Sequence, residues 1–269
     1  MRAKTSVLPV LIGVKSILCI ILLTSFQCLP TQIQGYKIKT VTLDAGHGGK
    51  DPGTIGKQYK EKDVALAITL KLGAMISEKF PNIRVVYTRK TDEFIELDER
   101  ANICNRNKSD LFICIHCNAS ENKKMIGTET YTMGLHKSES NLLVAMRENA
   151  VILKEENYQK RYGGYDPNSP VAHIMFNLYQ SAHIEQSLAF ASHVEQCFGK
   201  EGIGRESRGV KQAGFLVLWR TNAPSVLIET GFLSNPEEEK YLGSEKGQQE
   251  IAKAIFKAFC KYKEEVEQE

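Results

Sequence analysis

From residue 39 to the C-terminus, short apolar runs alternate with amphipathic stretches, and this alternation constrains the chain more than any other feature. Lys39–Leu43, Ile83–Tyr87, Leu111–His116, Thr128–Met133, Phe215–Leu218 and Val226–Glu229 read as strands. Between them, Val64, Ala67, Ile68, Leu72, Met75 and Ile76 recur at helical spacing. Leu97–Asn107, Asn141–Asn157, Ile174–Phe198 and Gln248–Val266 read as further helices, and Asn235-Pro236-Glu237 starts another with a cap, a first-turn proline and an acid. Tyr158–Pro170, rich in Gly, Pro and Tyr, reads as a long loop. Strands alternating with helices predict an α/β fold: a mostly parallel twisted sheet with helices on both faces. The run Leu111–His116 suits a strand covered on both sides. No internal repeat and no boundary divides the body, so a single domain is expected over 36–269.

Composition adds exclusions. At 269 residues, 42% hydrophobic and 25% charged, the chain is too apolar for disorder. A net charge of +3 gives no support for nucleic-acid binding. Residues 1–35 differ from the rest. Arg2 and Lys4 precede the apolar Val7–Val14 and Ile17–Leu23, interrupted by Lys15, as in a signal peptide or an N-terminal anchor. No clean small-x-small cleavage site follows, which keeps the uncleaved anchor open, and Ser25-Phe26-Gln27 is a poor lead-in for lipidation at Cys28. No second stretch reaches membrane length. The body is therefore expected outside the cytoplasm, in the periplasm or cell envelope, attached to a membrane only through that segment. Of seven cysteines, Cys104, Cys114, Cys117, Cys197 and Cys260 lie in the body. An odd number in a domain this large argues for small buried residues rather than a disulfide framework.

In α/β folds, reactive residues gather beyond the carboxyl ends of the strands. Four strand ends here carry unusual groups. His47 follows the first strand within Gly46-His47-Gly48-Gly49. Glu61 opens the first helix after the irregular Asp51-Pro52-Gly53 loop; a plain role there is to complement the helix dipole. His116 ends the apolar third strand and needs a partner if buried. Cys114 shares its face, so a Cys/His site is a competing reading; Cys114-x-x-Cys117 puts its two thiols on opposite faces. Glu229 ends another apolar strand, where a carboxylate is costly without a task or a partner. Two histidines and one glutamate can supply three ligands to a tetrahedral zinc with its fourth position open, the catalytic arrangement. Zinc lowers the pKa of water to about 7. Glu229 is then a spare carboxylate able to take a proton from that water. The constellation predicts metal-assisted hydrolysis of an amide or ester.

Asp44-Ala45-Gly46-His47-Gly48-Gly49-Lys50-Asp51-Pro52-Gly53, Glu61-Lys62, Ile115-His116-Cys117-Asn118-Ala119 and Glu229-Thr230-Gly231-Phe232-Leu233-Ser234-Asn235 occur in this order. Together they resemble the zinc-dependent N-acetylmuramoyl-L-alanine amidases of the amidase_3 class, from about Lys39 to the C-terminus. The resemblance implies one zinc held by His47, Glu61 and His116, Glu229 as the catalytic carboxylate, and a single, hydrolase-like α/β domain. It implies peptidoglycan as substrate, cut between N-acetylmuramic acid and L-alanine for wall remodelling or daughter-cell separation. A zinc peptidase acting on stem peptides is the alternative; a non-catalytic wall-binding module is a third reading. Cys114 and Cys117 stand where small or hydroxyl residues are commoner in the class. Residues 137–180 look like an insertion. Some relatives carry there an inhibitory helix whose glutamate fills the open zinc position until a partner removes it; Glu148, Glu155 and Glu156 are the candidates, against the plain reading of a solvated acidic face. An activator protein acting on 137–180 follows from that reading. Asn118, Arg208 and Lys211 are candidates for substrate contact, the two cations meeting stem-peptide carboxylates or lying in an exposed turn. His136, His173, His183 and His193 have no metal spacing.

Overall fold

A computed structural model describes residues 37–172 and 183–268. The expected signal or anchor at 1–35, and the expected helical start at Ile174, lie outside the described residues. None of the described helices is long and apolar enough to cross a membrane.

Six strands form one sheet in the order β2-β1-β3-β6-β4-β5: β1 Thr40–Ala45, β2 Arg84–Tyr87, β3 Leu111–Asn118, β4 Thr128–Met133, β5 Ser207–Ala213 and β6 Ser225–Phe232. The pairs β1–β2, β1–β3, β3–β6 and β4–β5 are parallel, and β4 runs antiparallel to β6. The sheet is thus mostly parallel, as the alternation predicts. Its helices are α1 Glu61–Lys79, α2 Leu97–Arg106, α3 Glu139–Asn149, α4 Tyr158–Arg161, α5 Ile184–Phe198, α6 Leu216–Trp219, α7 Pro236–Leu242 and α8 Glu245–Gln268. A 3-10 turn, Ala150–Lys154, continues α3.

The two-residue period of the strands sorts side chains onto two cores. Leu111, Ile113 and Ile115 of β3 join Val41, Leu43, Val226 and Ile228 under α1, α5 and α8. Phe112 and Cys114 join Tyr131 and Leu227 under α2, α3 and α6. Burying each such aliphatic or aromatic side chain contributes about 1.5–3 kcal/mol. Asp44, His116, Glu129 and Glu229 share the register of the second set, so these four titratable groups lie on one side of the sheet.

Two expectations are corrected. Phe215–Leu218 is not a strand: Leu216–Trp219 is a helical turn after Phe215, and Phe215 to Leu218 are all buried in the second core. The strand lies earlier, at Ser207–Ala213, so Arg208 and Lys211 sit on the edge strand rather than in a turn. The loop expected at Tyr158–Pro170 contains the short helix α4.

Candidate metal centre

β1 delivers the chain to His47, which adopts φ 59°, a conformation uncommon for any residue but glycine. Two buried arginines hold it there: Arg100 Nη2 donates to the His47 carbonyl at 2.8 Å and Arg89 Nη2 to the Gly46 carbonyl at 2.7 Å. The loop then folds back so that Glu61, at the start of α1, reaches the same place. Gly53, at φ +64°, lines that fold: a Cβ there would stand 2.5 Å from His47 Cδ2 and 2.6 Å from Glu61 Oε2. His116 arrives from the end of β3, packed so closely on Gly46 that a Cβ would meet its ring at 2.5 Å.

Four side chains converge. Glu61 Oε1 lies 3.1 Å from His47 Nε2 and 3.0 Å from His116 Nδ1. Glu148 Oε2, from α3, lies 3.2 Å from His47 Nε2 and 3.1 Å from His116 Nδ1. All four are buried, and one donor atom from each lies within 4.8 Å of every other. Ligands about 2.1 Å from a tetrahedral zinc stand about 3.4 Å apart, close to these separations. His47 Nε2 and Glu148 Oε2 approach each other without hydrogen-bond geometry and are buried without a hydrogen-bond partner. Such atoms are aimed at a common point rather than at one another. The cluster can hold a metal ion, and two imidazoles with carboxylates suit zinc.

The remaining atoms of these groups are tied down. His47 Nδ1 pairs with Asp51 Oδ2 at 2.6 Å, and Lys154 Nζ donates to Asp51 Oδ1 at 2.6 Å. Against the burial that would raise it, His47 and Lys154 lower the Asp51 carboxyl to about 2. A carboxylate behind a metal-ligating imidazole fixes its tautomer and orientation. Glu61 accepts from the Cys117 amide at 2.8 Å and the Thr54 amide at 2.7 Å. Burial alone would lower the proton affinity of His47; Glu61, Asp51 and Glu148 outweigh it and raise it well above the ordinary histidine range. Cys114 Sγ donates to Asp44 Oδ2 at 2.8 Å and also neighbours His116, without being one of the four converging side chains; burial, with Asp44, pushes it up to about 12. Cys117 lies in the opposite core, as the period requires.

Glu229 stands beside the cluster, fully buried, within β6, which runs on to Phe232 rather than ending at the acid. Arg147 Nη2 reaches its Oε1 at 3.4 Å while Arg147 Nε donates to Glu148 Oε1 at 3.0 Å. Burial first, then Glu148 and Glu61, push the Glu229 carboxyl well above the ordinary range, with Arg147 pulling the other way. Arg147 also donates to the Asn118 side chain at 3.0 Å and the Ala119 carbonyl at 3.1 Å. Asn118 donates onward to Glu129 Oε2 at 3.0 Å.

The structure therefore brings His47, Glu61, His116 and Glu148 together, with Glu229 adjoining. Of the three acidic candidates on 137–180, it places only Glu148 at the cluster. Glu155 accepts from the Leu97 amide at 2.9 Å and the Tyr162 hydroxyl at 2.8 Å, and Glu156 is exposed. Arg208 and Lys211 both bind Glu129. His193 meets Glu265 at 2.6 Å, away from the cluster. Asp51, Arg100, Glu129 and the role of Arg147 escaped the sequence reading. Arg100 left a signal: it shares the buried helical stripe of Leu97, Ala101 and Cys104.

Comparison with known proteins gives the same picture throughout. The family model described as N-acetylmuramoyl-L-alanine amidase (Amidase_3) matches residues 41–261. The chain is 34% identical over 228 residues to the amidase AmiA of Escherichia coli K12, covering 83% of this chain and 76% of that protein. It is 35% identical over 225 residues to AmiC of Escherichia coli O6:H1, covering 82% of this chain but 52% of AmiC, about half its length. Among solved structures, an N-acetylmuramoyl-L-alanine amidase from Clostridium difficile 630 is similar with a TM-score of 0.62 at 28% identity, covering 84% of this chain and 97% of the other. The CwlD amidase of Clostridioides difficile, in complex with the GerS lipoprotein, is similar with a TM-score of 0.61 at 28% identity, covering 83% of this chain and 98% of the other.

Proposed function

The chain belongs to the N-acetylmuramoyl-L-alanine amidase family, and from that premise we propose that it hydrolyses the amide between N-acetylmuramic acid and L-alanine in peptidoglycan, using one zinc ion. The observation that carries this reading is the buried cluster whose donor atoms stand 3.0–3.2 Å apart along four edges. In this reading His47, Glu61 and His116 hold the metal and residues 36–269 form the catalytic domain.

Bound there, zinc supplies Lewis acidity, polarising the scissile carbonyl and acidifying water. Glu229 takes the proton from the attacking water and returns it to the departing alanine nitrogen. A carboxylate of raised proton affinity suits both halves of that transfer. Asp51 holds the His47 ring, and the Thr54 and Cys117 amides hold Glu61, so neither ligand must reorganise during the reaction.

Glu148 occupies the position that a substrate carbonyl needs, and Arg147 neutralises the base. We read the 137–180 segment as an autoinhibitory insertion with two arms, one on the metal side and one on Glu229. Lys154, bound to Asp51, adds a third tie. Release falls to an activator protein that grips this segment. The similar CwlD amidase in complex with a lipoprotein supports a partner of that kind. Export to the periplasm or cell envelope, through residues 1–35 as signal or anchor, follows from the substrate.

Mass spectrometry of peptidoglycan digested with and without chelator tests the function. Intact stem peptides with a free alanine amine, released only without chelator, are expected. Fragments cut within the stem would instead mark a peptidase.

A further inference from the structure

A groove of about 440 Å³ lies beside Arg147, lined by Asn118, Ser120, Leu143, Arg147, Arg208 and Phe232 among others. Its floor holds Glu129, which faces Glu229 in the β4–β6 register. Glu129 is buried and accepts from Arg208 Nε at 2.7 Å, Lys211 Nζ at 2.5 Å and the Tyr131 hydroxyl at 2.7 Å. Two cations thus share one carboxylate, which leaves one positive charge uncompensated at Glu129. Arg147 adds nothing to that excess, being committed to Glu148 and Glu229.

The two cations are not equivalent. The Lys211 ammonium is 17% exposed and spends its charge on Glu129. Arg208 is 32% exposed and binds Glu129 through Nε alone; its two terminal nitrogens have no hydrogen-bond partner among the described residues. The guanidinium lies 5.7 Å from the Phe232 ring centre, a cation–π contact beside the groove that Phe232 also lines. A fixed fork of two free N–H groups is the receptor geometry for a carboxylate.

Resting on the amidase reading, we propose that Arg208 binds the α-carboxylate of the second stem-peptide residue and makes the enzyme selective for its ionised form. Around the scissile amide, the glycan side has no carboxylate left, because the lactyl carboxyl is consumed in the bond. The peptide side carries one where a glutamate, linked onward through its side chain, keeps its α-carboxyl free. The spacing agrees. Glu229 lies on β6 and Arg208 on β5, two strand spacings or about 10 Å apart. From the alanine nitrogen to the next α-carboxyl is about 7 Å of extended chain, and the contact with the base adds about 3 Å. The exposed Glu121 also lines the groove.

The test uses the metal-loaded full chain and two muropeptides that differ only at that second residue, α-carboxylate against α-carboxamide. The wild type is expected to favour the carboxylate through KM, by about tenfold to a hundredfold, the range of one charged hydrogen bond. Arg208→Gln should remove the preference by raising KM for the carboxylate alone, with kcat and the carboxamide substrate unchanged. Glu129 keeps Lys211, Tyr131 and Asn118 in that variant, and Arg208→Lys should restore part of the preference. Equal KM values in the wild type, or an equal change on both substrates in Arg208→Gln, overturn the subsite while leaving the amidase reading intact. Release of peptide from neither substrate when the chain also carries Glu148→Ala, which frees the closed position, overturns that reading, and the subsite with it.

Discussion

Replacing Glu148 by alanine is the sharpest probe of the site as a whole. Glu148 Oε2 sits 3.2 Å from His47 Nε2 and 3.1 Å from His116 Nδ1, and its Oε1 takes a bond from Arg147 at 3.0 Å. The bond to Arg147 lies within α3 and moves with it, so it does not weigh on opening. The contacts to the two imidazoles are what opening gives up, and one charged contact of this kind is worth about 1.5–3 kcal/mol. If the closed arrangement dominates, the basal rate follows the open fraction, and that energy multiplies it by about ten to a hundred. Arg147 still holds Glu229 and Lys154 still holds Asp51 in the variant, so activation stays partial; adding Arg147→Ala should raise the rate again. Dye release from labelled peptidoglycan gives the rate, and metal analysis gives the occupancy. A basal rate unchanged or lowered, with one metal per chain retained, would refute the inhibitory role. Loss of the metal would show Glu148 to be a working ligand rather than a plug.

Glu229→Gln keeps the shape of the site but cannot accept a proton; turnover should drop by about 10²–10⁴ with metal content unchanged, and more than a few per cent residual activity rules out the base. Gly53→Ala forces a Cβ against His47 and Glu61 at φ +64°; the expected result is a metal affinity lowered by about tenfold or more on dialysis, with a stability loss of about 1–2 kcal/mol by denaturant unfolding. Glu195 is buried on α5, where burial raises its proton affinity against hydroxyl bonds from Ser207, Thr130 and Thr128. Its folded value lies above its unfolded one, so its contribution is complete below pH ~4 and is lost as pH rises through the folded value. Melting curves should therefore show Glu195→Gln more stable than the wild type at pH 8, with the gap closing towards pH 4, and a wild type more stable at pH 8 would reverse the argument.

His47, Glu61, His116 and Glu229 were legible because each lies at or near an end of an element whose period is plain in the sequence, and α/β topology collects such ends on one edge. The strand at Ser207–Ala213 was not legible. Its Ser-Arg-Gly-Val-Lys-Gln-Ala composition is polar, because an edge strand beside a groove buries few of its side chains, and the apolar Phe215–Leu218 next to it drew the assignment instead. Glu148 could be short-listed but not chosen from three acids. What separates it from Glu155 and Glu156 is where the helical phase changes at Asn149, as α3 tightens into the 3-10 turn. Asp51 was hidden because a loop built on Gly48, Gly49 and Gly53 has no period to read.

One face of the sheet carries three buried acids towards the site, and their counter-charges set them apart. Asp44 is paired with Arg100 at 2.8 Å, from α2. Glu129 is paired with Arg208 and Lys211, from β5. These cations belong to the framework and cannot leave without unfolding it. Glu229 alone takes its cation from α3, through Arg147 at 3.4 Å, and its second oxygen has no hydrogen-bond partner. Glu148, on the same helix, pushes the Glu229 carboxyl up while Arg147 pulls it down, so α3 brings both influences and takes both away. Withdrawing α3 would therefore do two things in one movement: clear the place held by Glu148, and leave Glu229 as the one acid of the three released from its cation. In the proposed reaction this singles out β6 over β1 and β4, although all three strands carry a buried carboxylate on the same face.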